Sequence, residues 1–427
     1  MLKKNKLTGH FYERSVTDMK KILKCTSAVC AALIAMTSFG GCAKKLPDVK
    51  LSVWATSEYC DFFENAAQEF AQKYSDQVNF VITVSEEKEE TCKETVMASP
   101  ENAADLFVFA DDQLDELIGC GALRDISSEA GYIDEYCGGA GSGAALSSER
   151  DGKYYAYPFV AGNCYFLYYN SDYFSEEDIG DLDTILDICE KNNKLFAMDF
   201  GSGWYIYSFF KSAGLDVGLD PDGVTNHCNW NSTETPITGS DVAQAMLKIA
   251  GSSGFASLNS DKLTEGAANG EVIAGVSGAW NAEKLSAAYG DGYAAAKLPT
   301  YTAAGKKLQM SSFAGYKLIG INAYSENAEW AMKLAEELTS EEKQLEFFRL
   351  KGECPANVKA ADTDIVRSSP AVKALSDQSK YSYTQHVGSK FWDPSYIFGS
   401  TIASQNPDSC DLQELLDTMV EGITAKE

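Results

Sequence analysis

The sequence predicts an α/β protein with two domains, and three observations lead to this prediction. Strand-like and helix-like segments alternate along the chain, the set of strand-like segments appears twice, and the chain has 427 residues. A single hydrophobic core seldom serves so many residues, so two cores are expected. With 45% apolar residues and 10 prolines, the chain is expected to be globular.

The first set of elements lies between residues 51 and 109. Residues 51–54, 80–84 and 105–109 are apolar and rich in β-branched or aromatic side chains, which predicts three strands. Ser57 is placed to cap a helix whose apolar positions follow at spacings of three and four, and a charged helix is expected around residues 93–97.

Strands that alternate with helices form a parallel sheet with crossover connections. Ligands of such sheets bind beyond the carboxyl ends of the strands. The residues that follow Trp54 and Phe109 are therefore expected to face a site.

The second set of elements lies between residues 165 and 313, with strands predicted at 195–198 and 272–276 and loops near 217–240. The sequence then returns to a strand at 317–321. A helical segment is predicted from Asn327 to Leu350, and a last helical region from Trp392 to Ile423.

The N-terminal residues predict export. Three lysines precede an apolar run at residues 28–36, which is too short to span a bilayer and is typical of a signal peptide. The run leads to Gly41 and Cys42, where the sequence resembles a bacterial lipobox with Phe39 in place of the usual Leu. We therefore expect residues 1–41 to be a signal peptide that starts naturally at Met19. Residues 42–48 are then a tether anchored by lipid on Cys42; an uncleaved membrane helix is the alternative.

Charge and rare residues exclude several classes of function. Removal of residues 1–41 takes away seven of the 36 Lys and Arg residues and two of the 62 Asp and Glu residues, so the remainder carries a formal charge of −31. Such a chain is not expected to bind nucleic acid or anionic lipid surfaces. Nine cysteines follow Cys42 without a CxxC pair, and three histidines lie far apart, so neither a metal site, a cofactor nor His-based catalysis is expected. The turn at 216–223 faintly resembles a calcium loop but lacks its full ligand set, and a surface turn is favoured.

Several short segments, in their order and spacing, resemble bacterial solute-binding proteins of ABC importers (family 1), of the maltose/maltodextrin type. They are residues 102–112, 119–123, 152–158, 167–172, 277–280, 296–300 and 315–322.

The resemblance implies the periplasmic-binding-protein type II fold: two discontinuous α/β lobes joined by a hinge, with the ligand in the cleft between them. The N-terminal lobe is then expected to contain residues 49–160 and 315–360, and the C-terminal lobe residues 161–314 and 361–427.

The same resemblance implies aromatic residues that stack on sugar rings, whose flat C–H faces suit them. Trp280 and Trp392 match two stacking tryptophans of the family. Trp204 matches a third aromatic position, for which Tyr205 and Tyr207 are alternatives.

Polar contacts are implied after the first and third strands. Asp112 matches a carboxylate that accepts hydrogen bonds from sugar hydroxyls, although it is also placed to cap the next helix. Phe109 matches an aromatic contact, and Glu58 and Tyr59 match the first loop, where the family has Lys in place of Tyr59. The family also has Arg at Gln113 and Glu at Ser202, so the polar contacts differ while the aromatic ones persist.

The resemblance implies a monomeric binding protein that captures a malto-oligosaccharide or similar oligosaccharide and delivers it to permease subunits. Its ATPase must be a separate chain, since no GxxxxGK[ST] motif occurs. Lipid on Cys42 would hold the protein on the outer face of a cell membrane, in a Gram-positive type of envelope. A secreted glycoside hydrolase is the alternative, which needs two carboxylates about 5 to 9.5 Å apart. A surface sensor or adhesion module is a third reading.

Overall fold

A computed structural model describes residues 45–89, 91–221 and 223–426 of the chain. The compact unit that carries the fold begins at Pro47. The predicted signal peptide at residues 1–41, the start at Met19 and the lipid attachment at Cys42 lie outside the described residues, and they stay predictions.

The strands are numbered here in chain order. They are β1 (Asp48–Ala55), β2 (Asn79–Glu86), β3 (Leu106–Ala110), β4 (Glu149–Arg150), β5 (Lys153–Tyr154), β6 (Ala156–Ala161), β7 (Tyr165–Asn170), β8 (Leu195–Ala197), β9 (Val217–Leu219), β10 (Asn226–Cys228), β11 (Phe255–Ala256), β12 (Val272–Gly278), β13 (Tyr293–Ala296), β14 (Thr300–Ala303), β15 (Lys306–Gln309), β16 (Ser312–Ala314), β17 (Tyr316–Ile321) and β18 (Ser382–Thr384).

The α-helices are numbered in the same way. They are α1 (Ser57–Lys73), α2 (Cys92–Ala98), α3 (Leu114–Gly119), α4 (Ala130–Cys137), α5 (Gly143–Ser147), α6 (Leu182–Lys191), α7 (Gly203–Ser212), α8 (Gly239–Ala250), α9 (Ser260–Ala268), α10 (Ala282–Tyr289), α11 (Ala328–Thr339), α12 (Glu341–Lys351), α13 (Val358–Ala361), α14 (Asp364–Arg367), α15 (Pro370–Gln378), α16 (Trp392–Ala403) and α17 (Leu412–Ile423).

The first five-stranded sheet has the order β2-β1-β3-β17-β6. Strands β1, β2 and β3 are parallel, with Val53 opposite both Val84 and Leu106, as the alternation of elements predicts. Strand β17 joins antiparallel between β3 and β6. The chain therefore returns at residue 316 to a sheet that it left after residue 161, which confirms the strand predicted at 317–321.

The second five-stranded sheet has the order β11-β8-β12-β7-β13. Strands β11, β8 and β12 are parallel, and β7 runs antiparallel to β12. Strand β13 pairs antiparallel with β7, so β13 has the same direction as β12. The strands predicted at 195–198 and 272–276 are β8 and β12, so the predicted second set of elements is confirmed.

Each sheet has its own core. The first core clusters draw on residues 49–160 and 318–356, with Phe62, Phe159 and Phe347 in mutual ring contact. The second draws on residues 165–313 and 371–423, where Trp230 stacks on Phe210 at 4.2 Å between ring centroids. The protein is thus a two-lobed α/β structure, and "first lobe" and "second lobe" below refer to these two cores.

The two helical segments predicted in the C-terminal part of the sequence are helical in the structure, and each is formed by two helices. The segment from Asn327 to Leu350 forms α11 and α12 rather than one helix, because the Ser340 hydroxyl accepts a hydrogen bond from the Lys343 backbone N–H and starts a new helix. The region from 392 to 423 is likewise divided into α16 and α17, and the Asp411 carboxylate caps the second helix.

Candidate functional site

Acidic side chains follow all three parallel strands of the first lobe. Glu58 comes after β1, Glu89 after β2, and Asp111 and Asp112 directly after β3. The carboxyl ends of parallel strands lie at one edge of a sheet, where ligands of such sheets bind. This edge of the first lobe is therefore lined with hydrogen-bond acceptors.

The parallel strands of the second lobe end in a similar way. Asp199 follows β8, Asn259 follows β11, and Trp280 follows β12. The Asn281 amide donates to the hydroxyls of Ser260, at 2.7 Å, and Ser277, at 2.9 Å, which ties the ends of β11 and β12 together. The same edge of this lobe combines polar groups with an aromatic ring.

Side-chain contacts between the two edges define a cleft. The Lys317 ammonium of the first lobe lies 5.6 Å from the ring centroid of Trp280 in the second lobe. The Lys284 ammonium on α10 lies 3.8 Å from a carboxylate oxygen of Glu58. The two carboxyl-end edges thus face each other, and both predicted residues, Glu58 and Trp280, lie at the boundary between the lobes.

Trp280 is partly exposed and packs on the second-lobe core. Its ring covers the backbone of Gly278, where an added Cβ would lie 2.0 Å from ring atom Cζ3. Glycine at 278 is therefore required for the ring to occupy this position.

Trp204 and Trp392 belong to one aromatic cluster of the second lobe. Trp204, on the first turn of α7, stacks on Phe313 at 5.4 Å and 29°. Phe313 lies edge-on to Phe391 at 6.1 Å, and Phe391 lies edge-on to Trp392 at 4.9 Å. Gly203 permits this approach, since a Cβ there would lie 2.8 Å from Phe391. The two tryptophans begin neighbouring helices, and each is partly exposed.

The alternatives to Trp204 are more deeply buried. Tyr205 is 9% exposed and Tyr207 is 2% exposed, the latter stacked on Phe313 at 3.6 Å. Of these three aromatic residues, Trp204 therefore offers the most accessible ring.

The second lobe also contains a cavity of about 490 Å³, and none of the three candidate tryptophans is among its lining residues. It lies among the loops after β8 and β11 and one face of α16, and it is lined by Asp199, Gly201, Ser257, Asn259, Lys262, Tyr396, Ser400, Ala403 and Ser404. Burial raises the pKa of Asp199, partly offset by a hydrogen bond from the backbone N–H of Gly201. The volume of the cavity lies in the range of small-molecule sites, and hydroxyl and carboxylate groups dominate the cavity wall.

Glu58 is held at the rim of the cleft by several partners. The hydroxyls of Thr56 and Ser57 donate to its carboxylate at 3.1 and 3.0 Å. Burial alone would raise the pKa of Glu58, but hydrogen bonds from its own backbone N–H and from both hydroxyls, together with the charge of Lys284, lower it below its usual value. Glu58 is therefore a charged acceptor at neutral pH.

Tyr59 and Phe109 do not line the cleft in this structure. Tyr59 is 1% exposed, and its hydroxyl donates to Glu353 and accepts from Lys317. Phe109 is fully buried beside Phe107, with ring centroids 5.8 Å apart. Tyr59 thus follows β1 and Phe109 lies within β3, and neither offers an exposed surface here.

Asp112 accepts a hydrogen bond from the Gln385 amide, which lies just after β18. The alternative role as a helix cap is not observed, because Gln113 occupies the N-cap position of α3 and no side chain caps that helix. Burial raises the pKa of Asp112 to about 6 and that of its neighbour Asp111 to about 7. Both carboxyls therefore titrate near neutral pH.

Sequence reasoning missed a buried lysine at the floor of the cleft. Lys317 is 3% exposed, and its ammonium lies 3.0 Å from Glu353 and 3.3 Å from Glu89. The available signal was a lysine within the otherwise apolar strand β17.

Among the described residues, no group of three or more His, Cys, Asp or Glu side chains is arranged to hold a metal ion. In the same part of the chain, no helix combines the length and apolar character needed to span a membrane.

Comparisons with known proteins agree with this architecture. Residues 65–374 match a protein family described as bacterial extracellular solute-binding protein. The galactooligosaccharide-binding protein of Bacillus subtilis (strain 168) is 26% identical over 435 residues, which cover 96% of this chain and 98% of that protein.

Solved structures share the fold. A protein solved with acarbose is 25% identical with a TM-score of 0.75, covering 88% of this chain and 99% of its own. A maltodextrin binding protein from L. casei BL23, solved without ligand, is 22% identical with a TM-score of 0.71, covering 89% and 100%. These similarities agree with two α/β lobes of the periplasmic-binding-protein type. The family match spans more than half of the sequence, and the chain therefore belongs to the bacterial extracellular solute-binding proteins.

Proposed function

We propose that this chain is the lipid-anchored solute-binding component of an ABC importer and that it binds a malto-oligosaccharide or similar oligosaccharide between its two lobes. The observation that carries the proposal is a set of three partly exposed tryptophans on one lobe, Trp204, Trp280 and Trp392. Of these, Trp280 contacts Lys317 of the other lobe, whose strand ends are lined with carboxylates. Aromatic faces suit the C–H surfaces of sugar rings, and carboxylates accept hydrogen bonds from pairs of hydroxyls.

The lobes are proposed to comprise residues 49–160 with 315–360 and residues 161–314 with 361–427. A ligand that contacts both lobes only when they are together shifts the population toward the closed form. The closed monomer then docks on permease subunits, and a separate ATPase drives import.

Two sugar classes find support in the relatives. The B. subtilis relative is named for galactooligosaccharide binding. The similar structure at 25% identity contains acarbose, and others are named for maltodextrin or maltotriose. Maltotriose and a galactotriose are therefore the two probes of first choice.

The binding test uses residues 47–427, which contain the compact unit, and titrates each sugar while monitoring its hydrolysis. Binding without turnover is expected for at least one of them. Turnover of the bound sugar would replace the transport proposal with a hydrolase, and failure of both sugars to bind would refute the proposed ligand class.

The site test compares Trp280→Ala and Trp392→Ala with a control tryptophan. Each change should weaken binding by at least about 1 kcal/mol, as for aromatic anchors of other binding sites. Trp330→Ala is the matched control, because Trp330 packs edge-on against Phe80 at 5.0 Å in the first-lobe core. It should lower stability and leave affinity unchanged. Equal affinity in all three variants would remove the site assignment.

The anchoring proposal concerns Cys42. Cys42→Ser in the full-length chain should release the protein from the membrane fraction into the medium, because two acyl chains provide stable attachment. Retention of the variant in the membrane fraction would contradict lipidation at this residue.

A further inference from the structure

Lys317 is a charged residue buried at the boundary between the lobes. Its ammonium lies 3.0 Å from Glu353 and 3.3 Å from Glu89, and it also donates to the hydroxyl of Tyr59. Tyr59 in turn donates to Glu353. Burial lowers the pKa of Lys317, but the two carboxylates outweigh it, so the pKa lies above its usual value and the side chain stays charged.

The partners of Lys317 come from separate parts of the fold. Tyr59 lies on α1 and Glu89 follows β2. Glu353 precedes the segment that leaves the first core, where the Cys354 carbonyl accepts from the Ala161 backbone N–H. The lysine therefore links two first-lobe elements to the segment that leads to the other lobe.

Trp280 is the contact that Lys317 makes across the cleft, at 5.6 Å from the ring centroid. A lysine has three N–H donors, and three acceptor groups of the first lobe already surround this one. Lys317 therefore has no donor to spare for a sugar hydroxyl. What it offers the cleft is its positive charge, which attracts the face of an aromatic ring.

We propose that Lys317 is a positioning residue that fixes the Trp280 ring for the ligand when the lobes are together. The proposal rests on the proposed function, in which Trp280 stacks on the sugar. Glu89, Glu353 and Tyr59 hold the ammonium in place, and the ring takes its orientation from the charge on one side and from Gly278 on the other. Because the charge belongs to one lobe and the ring to the other, the contact forms only in the closed arrangement.

The chain offers a matched control in Lys343, another lysine that is 3% exposed. It pairs with Glu69 at 2.6 Å and Glu346 at 2.7 Å, within the first lobe. Like Lys317, it is a buried lysine paired with two carboxylates, whereas Lys317 also contacts an aromatic ring of the second lobe.

The test compares two double variants that each remove one lysine and one of its carboxylates. They are Lys317→Met with Glu353→Gln, and Lys343→Met with Glu346→Gln. Both proteins are labelled with 5-fluorotryptophan, and the Trp280 fluorine resonance is assigned from Trp280→Phe. We expect the Lys317 double variant to shift this resonance and to weaken maltotriose or galactotriose binding roughly five-fold or more. The Lys343 double variant should lower thermal stability without changing the resonance or the affinity.

Lys317→Arg tests the proposal if the double variant fails to fold, because it keeps the charge and moves its position relative to the ring. The Trp280 resonance should shift, whereas that of Trp330, which lies 4.6 Å from the Lys333 ammonium in the first lobe, should not. An unmoved Trp280 resonance would overturn the proposal, and so would a moved resonance with full affinity. If neither sugar binds the unaltered protein, the proposed function fails, and the resonance alone decides whether Lys317 orients the ring.

Discussion

The ion pair between Glu58 and Lys284 joins the two lobes at the rim of the cleft, and Lys284→Glu is expected to weaken ligand binding through closure. The nitrogen–oxygen distance is 3.8 Å, and the side chains are 41% and 44% exposed. Coulomb's law gives about 1 kcal/mol for this distance in water. Measured exposed pairs contribute about 0.2 to 1 kcal/mol, so loss of the pair should lower the equilibrium constant for closure by a factor of roughly 1.5 to 5. Reversal to a like-charge pair should approach the upper value.

Salt dependence and a charge swap isolate this contribution. The dissociation constant for maltotriose or galactotriose is measured by titration calorimetry at low salt and near 1 M salt, where the Debye length is only about 3 Å. Lys284→Glu should weaken binding at low salt and much less at high salt. The double variant that exchanges the two charges, Glu58→Lys with Lys284→Glu, should restore the population of the closed form.

Small-angle scattering without sugar separates closure from direct contacts of Glu58 with the ligand. The single variant should populate a more extended form than either the unaltered protein or the swap. A loss of affinity that is equal at both salt concentrations, or a swap that remains as extended as the single variant, would refute a closure role for this pair.

Three further predictions concern pH, the Trp280 ring and a helix start. Burial raises the pKa of Asp111 to about 7 from 3.8, so the stability contributed by the protonated carboxyl is present below about pH 4 and is lost as the pH rises through 7. Urea unfolding at pH 5 and pH 8 should show that the unaltered protein loses roughly 2 to 3 kcal/mol more stability between these two pH values than Asp111→Asn does; equal losses in the two proteins would contradict the raised pKa. Gly278→Ala places a Cβ 2.0 Å from Trp280 and should reduce sugar affinity at least about five-fold in titrations, and unchanged affinity would show that the ring position is unimportant. Thr238→Val removes one half of the capping box with Asp241 and should cost about 1 kcal/mol in urea unfolding without altering affinity; an altered affinity would argue against a purely structural cap.

The strands were predictable where local pattern and long-range packing agree. Strands β1, β2 and β17 contain apolar runs that read as strands without any knowledge of their neighbours. The order β2-β1-β3-β17-β6 could not be read from those runs, because β17 pairs with β3 across more than 200 residues of chain. The breaks inside the two long helical segments depend on single capping side chains, Ser340 and Asp411, which weigh little beside the apolar periodicity around them.

For the candidate site, the sequence indicated which chain positions lie near the lobe boundary, but it did not indicate which of their side chains are exposed. Glu58 and Trp280 both lie at the lobe boundary. Tyr59, the neighbour of Glu58, points into the core because successive positions on a helix face different sides. Lys317 was missed because a charged residue in a strand reads as an exposed position, and its carboxylate partners are brought to it only by the fold.

Tryptophan burial also depends on tertiary contacts. Trp230, which no sequence pattern distinguishes, is fully buried against Phe210. Trp54 and Trp330 are partly buried and pack against the first-lobe core clusters. A ring's exposure follows from the elements that cover it, and local sequence does not contain that information.

The most direct test of sugar binding between the lobes is the crystal structure of residues 47–427 grown with whichever sugar, maltotriose or galactotriose, binds more tightly. We predict sugar density between the lobes, with one ring stacked on Trp280 and contacts to both Glu58 and the second-lobe cavity at Asp199. Density confined to one lobe outside this cleft, or Trp280 covered by protein with the sugar elsewhere, would contradict this prediction.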